Sequence, residues 1–240
     1  MAAERRAPHD PRAALASACA ALKIFPLPGV VLLPGAPAPF HLFEPRYRAL
    51  GAAVLDGDRV LAVPTLVDPA EAMEARARVR PVAGAGLVVA EQRNADGTVD
   101  LVLRGEARVR LLEELERGAP LDAGPASLPY REFRAEVLHD VYPAGGAGPL
   151  MNDVEAVAQL VYELAGLLPP ESGAGQLAEA VARMRVPGAM ADLVAAAAIS
   201  EPEARYRVLE TLDVGQRLSI VKEEIAGVIL LLSRGRTPSA

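Results

Sequence analysis

The sequence predicts an α+β protein, with an antiparallel β-barrel in its first half and a helical bundle at its C-terminal end. Three observations carry this reading. Residues 22–142 hold short apolar runs and period-two alternation punctuated by proline and glycine. Residues 150–234 instead space their apolar positions by three and four. Between them Tyr142–Leu150, YPAGGAGPL, has the composition of a linker. The strands lack a strand–helix–strand rhythm, and closing them, or nearly so, removes exposed sheet edges.

Residues 1–21 read as a flexible tail. They carry arginines and small residues, Pro8 and Pro11 interrupt them, and they lack the apolar core of about 7–15 residues that a signal peptide needs. Next comes IFPLPGVVLLPG, in which VVLL is a short buried strand confined by Pro26, Pro28 and Pro34, each missing the N–H a ladder requires. DRVLAVPTLV is a further strand. In EARARVRPV, Ala75, Ala77 and Val79 point one way and Arg76, Arg78 and Arg80 the other. Strands Leu87–Arg93 and Thr98–Arg104 flank NADG, whose Asp-Gly supplies the positive φ angles of a tight hairpin turn. EARVRLLEEL continues the meander and EFRAEVLHDV closes it.

The helices follow in order. MNDVEAVAQLVYELAGLL places Val154, Val157, Val161, Leu164 and Leu168 on one face. AGQLAEAVARMRV and AMADLVAAAAIS are separated by Pro187-Gly188, and SEPEARYRVLETL opens with Ser200 and Glu203 in capping-box positions. The last helix aligns Leu218, Val221, Ile225, Val228, Ile229 and Leu232. Residues 235–240 form a second tail.

Composition narrows the function classes. The chain has 240 residues, 51% apolar and 23% charged, so it is globular. No apolar run reaches the roughly 20 residues of a membrane span, and the expected location is cytoplasmic. The lone cysteine, Cys19, has no internal disulfide partner. A net charge of −6 and a pI near 5.2 count against a nucleic-acid binder. Of 25 basic residues only Lys23 and Lys222 are lysine, so local arginine stripes stay open as grooves for acidic peptide or RNA phosphates. Arg76, Arg78 and Arg80 form one candidate row and Arg104, Arg108 and Arg110 another; the plainer reading is a solvated face.

The motifs for catalysis and cofactors are missing. Neither lysine sits in a Gly-x4-Gly-Lys-Ser/Thr loop, and there is no Gly-x-Ser-x-Gly, His-Glu-x-x-His or Cys-x-x-Cys. His9, His41 and His139 are too scattered for a zinc site. Lys222, among glutamates on an amphipathic helix, reads as a solvated ion-pairing residue rather than half of a Ser–Lys dyad. The expectation is no catalytic residue, no metal and no cofactor.

One stretch gathers rare residues: Ala36–Leu50, APAPFHLFEPRYRAL. Pro37 and Pro39 keep its start extended, so Phe40 and Leu42 face one side and His41 and Phe43 the other. Pro45 suits the first position of a helix and pushes Glu44 out of helical geometry. Glu44 then caps that helix, its carboxylate meeting the positive end of the dipole, while Tyr47, Leu50 and Val54 form the packing face. The stretch is a strand-to-helix corner that also offers a binding surface. A histidine with one carboxylate and no nucleophile gives little support to catalysis.

FPLPGVVLLPGAPAPFHLFEPRYRAL strongly resembles the opening of the Lon protease N-terminal, substrate-binding domain, and HLFEPRYR is most like the small bacterial proteins that carry this domain alone. DGTVDLVLRGEARVRLLEEL resembles the family's hairpin with its following Gly-x-x-Arg, here Gly105 and Arg108. MADLVAAAAISEPEARYRVLETLDVGQRL resembles its helical end. The similarity spans about residues 22–232. It implies a PUA-like β-barrel subdomain (22–142) and a helical bundle subdomain (150–234), with Pro34, Gly35, Pro45, Gly97, Gly105 and Arg108 in structural roles. It further implies a noncatalytic module for unfolded or partner polypeptides, lacking ATPase and protease domains. The candidate peptide contacts, His41, Phe43, Glu44, Arg46 and Tyr47, come from the corner itself and from no family motif. The alternatives are a self-associating structural or adaptor protein that docks on a protease or chaperone and, with least support, an RNA binder.

Overall fold

The computed structural model describes residues 10–74, 76–115 and 130–235. Of the expected features, the first nine residues of the N-terminal tail, Ala75 of the alternating stretch and residues 236–240 lie outside the described residues. The chain divides into two compact units, Met1–Leu138 and His139–Ala240.

The first unit is built on six strands: β1 (Leu22–Ile24), β2 (Pro37–Leu42), β3 (Val60–Val63), β4 (Val82–Arg93), β5 (Val99–Glu114) and β6 (Arg131–Leu138). Their order is β2-β5-β4-β3-β1-β6, and β5 also pairs with β6, so five strands close into a ring and β2 hangs from β5 as the free edge. The long β5 makes this possible. Its first half pairs with β2, Leu42 opposite Val99, and its second half with β6, Arg108 opposite Leu138. The hairpin strand ending at Arg104 and the following EARVRLLEEL are therefore one continuous strand.

The ring is not wholly antiparallel, as the sequence suggested: β1 and β3 run parallel, Ile24 opposite Ala62. A parallel pair needs a crossover, here supplied by β2 and the helix α2 (Pro45–Asp56). Nor is VVLL a strand. Leu32 and Leu33 are buried, but their segment lies over β4 and β5 outside any ladder. Bare glycines permit the approach: a β-carbon at Gly84 would overlap the carbonyl of Leu32, and one at Gly105 that of Leu33. Hydrogen bonds Gly35 N–H to Gly105 O at 2.8 Å and Gly105 N–H to Ala36 O at 2.9 Å pin the crossing.

Two cores result. Inside the ring pack Leu22, Ile24, Val60, Ala85, Val109 and Phe133. One end is covered by helix α1 (Pro11–Ala18), capped by Asp10 and contributing Leu15 and Ala18. The loose tail expected there is thus partly a packed helix. Its short amphipathic run signals little alone, because burial against the ring stabilises it. The second core lies between α2 and the inner face of β2, β4 and β5, with Leu42, Tyr47, Leu50, Val54, Val88 and Leu101.

Residues 76–80 form no strand. A 3₁₀ turn, Pro69–Met73, precedes them, and Val79 makes a single bridge to Leu66. Ala77 is still buried, and Arg76 and Arg78 exposed, as the alternation required. At the hairpin only Gly97 has positive φ, at 81°. Asp96 keeps a negative φ, and Asn94 closes the turn by accepting from Gly97 N–H at 3.0 Å.

The second unit holds α3 (Met151–Leu167), α4 (Ala174–Arg183), α5 (Pro187–Ala198), α6 (Pro202–Glu210) and α7 (Val214–Gly235). Val154, Val157, Val161 and Leu164 of α3 face inward, as do Leu218, Val221 and Ile225 of α7. Pro187-Gly188 opens α5 rather than separating helices, the proline at the first helical position. Glu201, not Ser200, caps α6, its carboxylate accepting from Ala204 N–H at 2.6 Å. Pro202 sets the helix start one residue beyond the expected box. The Gly/Pro stretch belongs to this unit: Val141 bridges to Asp213, and Gly145 and Gly146 turn the chain at φ 93° and 71°.

Candidate functional site

The corner at Ala36–Leu50 has the predicted shape. Glu44 stands at the N-cap with extended backbone, and its carbonyl accepts from Tyr47 and Arg48 N–H at 2.9 and 2.8 Å. Its side chain makes no capping bond; the carboxylate instead accepts from Arg46 Nε at 2.8 Å. The capping role expected for that carboxylate is therefore replaced by an ion pair, because Arg46 reaches it within one turn.

The five candidate residues do not form one surface. Tyr47 is 7% exposed, packed edge-on against Phe25 with ring centroids 4.6 Å apart, and burial pushes its phenol pKa upward. Arg46 lies across that ring, 4.5 Å from its centroid, and donates to the carbonyls of Ala72 and Glu74. It is a tether between α2 and the 3₁₀ turn. His41 and Phe43 alone face outward together, their rings stacked at 5.9 Å, with Phe43 61% exposed.

His41 belongs to a larger feature. β2, β5 and β4 present an outer face whose cross-strand rows follow from register. Pro39 lies opposite Val102, which lies opposite Ala90; His41 lies opposite Asp100, which lies opposite Gln92. The first row is apolar and the second polar. Together with Glu91 they line an open groove of about 470 Å³. His41 Nδ1 is 2.6 Å from Asp100 Oδ1, and Asn94 Nδ2 donates to Asp100 Oδ2 at 2.8 Å. Since a carboxylate only accepts, Nδ1 carries the proton there and Nε2 of a neutral ring is left as an acceptor. The bonds from Asn94 and His41 hold the Asp100 carboxyl below its ordinary pKa. Asp96 is lowered too, chiefly by the backbone N–H of Thr98.

The free edge of β2 has a defined chemistry. Ala36 O accepts from Gly105 of β5, so even-numbered residues turn their backbone groups to β5 and odd-numbered ones outward. The outward positions are Pro37, Pro39 and His41. Two of these three cannot donate.

Asp100, Val102, Ala90 and Gln92 were not singled out by sequence. Alternation in TVDLVL places Asp100 and Val102 on one face, but only the β2–β5 pairing, between strands distant in sequence, brings them to His41. Several arginines of the two rows are engaged within the protein. Arg78 pairs with Glu71, Arg104 with Glu106 and Arg110 with Glu136, while Arg108 is buried at 4% exposure. The second unit has its own groove of about 410 Å³ between α3 and α4, where Tyr162 is exposed.

The family described as ATP-dependent protease La (LON) substrate-binding domain matches residues 21–226. The Lon protease of Roseiflexus castenholzii is 29% identical over 217 residues, covering 90% of this chain and 25% of that protein. The Lon protease of Paraburkholderia phytofirmans is 33% identical over 140 residues, covering 57% of this chain and 15% of that protein. The chain thus spans a quarter or less of the length of these relatives. The fold is similar to the N-terminal domain of a Mycobacterium avium complex Lon protease, with TM-score 0.61 at 19% identity, covering 86% of this chain and 98% of that one. It is also similar to a Lon N-terminal domain protein from Xanthomonas campestris, with TM-score 0.52 at 21% identity, covering 83% and 95%. The chain belongs to the Lon substrate-binding domain family.

Proposed function

We propose that this protein is a noncatalytic module that binds unfolded or partner polypeptides. The observation that carries the reading is the family match over residues 21–226, joined to an open, partly apolar groove beside exposed Phe43. His41 and Phe43 are the binding residues of the expected five; Glu44, Arg46 and Tyr47 hold the corner that presents them. Both lysines are held in ion pairs. Lys222 Nζ lies 2.6 Å from Asp153 Oδ1 and Lys23 Nζ 3.9 Å from Asp58 Oδ1.

The test is titration of the purified protein against unfolded proteins and peptide panels. Saturable binding is expected. None up to about 100 μM, where only about −5.5 kcal/mol is required, overturns the reading.

A second reading, a self-associating adaptor, is favoured by Leu230 and Leu231, 52% and 70% exposed near the end of α7. Sedimentation that reports a monomer at every concentration removes it.

A further inference from the structure

We infer that the β2–β5–β4 face reads side chains, and that its occupant is an extended polypeptide segment placing an aliphatic or aromatic residue next to a lysine or arginine. This deepens the polypeptide-binding reading and rests on it.

The backbone of β2 argues against the commonest alternative. Strand addition gains its affinity from main-chain hydrogen bonds along a sheet edge. Pro37 and Pro39 remove two of the three outward donors on β2, so an added strand would leave its own carbonyls unmatched along that edge. Recognition falls instead to the face, where the groove lies.

The chemistry of that face selects the occupant. The row Pro39–Val102–Ala90 is an apolar strip with no donor or acceptor on its side chains. It suits one aliphatic or aromatic side chain, and Phe43, stacked on His41, adds an aromatic ring on the far side of the neighbouring row. The neighbouring row is polar and carries one carboxylate, Asp100. Asp100 is 46% exposed in its side chain, and its bonds to His41 and Asn94 occupy one lone pair on each oxygen, leaving the others open. Asp96 stands close enough to interact electrostatically with His41. The nearby Glu91 is paired with Arg59. A cation beside the apolar anchor would meet Asp100 and the acceptor Nε2 of His41, while an acidic residue would meet the Asp100 carboxylate. Like-charge juxtaposition of that kind is a means of rejecting wrong partners.

The experiment is an NMR titration of the ¹⁵N-labelled full chain. The probes are two peptides in a Gly/Ser background, one carrying Phe-Lys and the other Phe-Glu. Shifts confined to residues of β2, β5 and β4 are expected, with the Phe-Lys peptide binding about tenfold tighter, a difference of about 1.4 kcal/mol. Asp100→Asn should bring the two affinities together, and Val102→Glu should abolish binding of both while the amide spectrum elsewhere is kept. Equal affinity for the two peptides, or shifts that fall outside this face, overturns the inference and leaves polypeptide binding standing. No shift with either probe, together with no binding to the unfolded-protein panel, overturns both.

Discussion

Arg217 Nη2 lies 2.8 Å from Asp140 Oδ2, and the arginine side chain is completely buried. Asp192 Oδ1 stands 3.6 Å from Nε on the other side. None of the three guanidinium nitrogens makes an aligned hydrogen bond, so the cluster is held mainly by charge. It joins the start of the helical unit to α5 and α7. Breaking such a pair strands a charge in the interior. Arg217→Met should therefore cost about 3–5 kcal/mol, read from urea denaturation.

Gly188 is part of the same arrangement. A β-carbon there would overlap Asp140 Oδ2 and press on Arg217 Nη2. Gly188→Ala should destabilise the protein by about 1–3 kcal/mol through overpacking, against the ordinary preference of a helix for alanine. A variant as stable as the parent would mean that the ion pair shifts freely.

Gly105 and Gly35 separate two reasons for glycine. At Gly105 the obstacle is the Leu33 carbonyl; at Gly35 there is open space but φ is 81°. Gly35→Ala should cost about 1–2 kcal/mol from backbone strain alone. Gly105→Ala should cost more, because the Leu32–Pro34 crossing must lift from β5. Thermal denaturation of the two variants checks the order.

Phe43 and Tyr47, four residues apart, should behave oppositely. Phe43→Ser should change stability by no more than about 0.5 kcal/mol yet weaken peptide binding. Tyr47→Ala should cost about 3–5 kcal/mol, in the range for a buried aromatic ring. Paired denaturation and binding curves distinguish a surface role from a core one.

The Asp96–Asp100 cluster gives a pH dependence. Both carboxyls have pKa values lowered by folding, so the unfolded chain binds more protons as pH falls through the carboxylate range near 4. Their contribution is present above that range and lost below it. Urea midpoints should drop from pH 7 to pH 3, and the drop should be smaller in Asp100→Asn.

What the sequence made legible was local. The α7 stripe, the α2 corner and the β4–β5 hairpin each follow from spacing, proline placement or turn residues within one short window. The misread segments depended on distant contacts. VVLL has strand composition, yet its place over Gly84 and Gly105 denies it a ladder. Residues 11–18 look like a tail until the ring offers Leu15 somewhere to pack. The groove was half visible: His41 and Phe43 stood out as rare residues, while Val102 and Asp100 are ordinary strand residues whose importance comes from the β2–β5 register.

The prolines of β2 bear on solubility as well as recognition. A sheet with an open edge is a template on which further strands stack, and repeated stacking ends in a cross-β fibril. Here the ring leaves β2 as the edge, and Pro37 and Pro39 interrupt the ladder a second copy would need. Replacing both with residues that can donate would restore three outward amide hydrogens in a row, and the variant should form thioflavin-positive aggregates at concentrations where the parent stays clear.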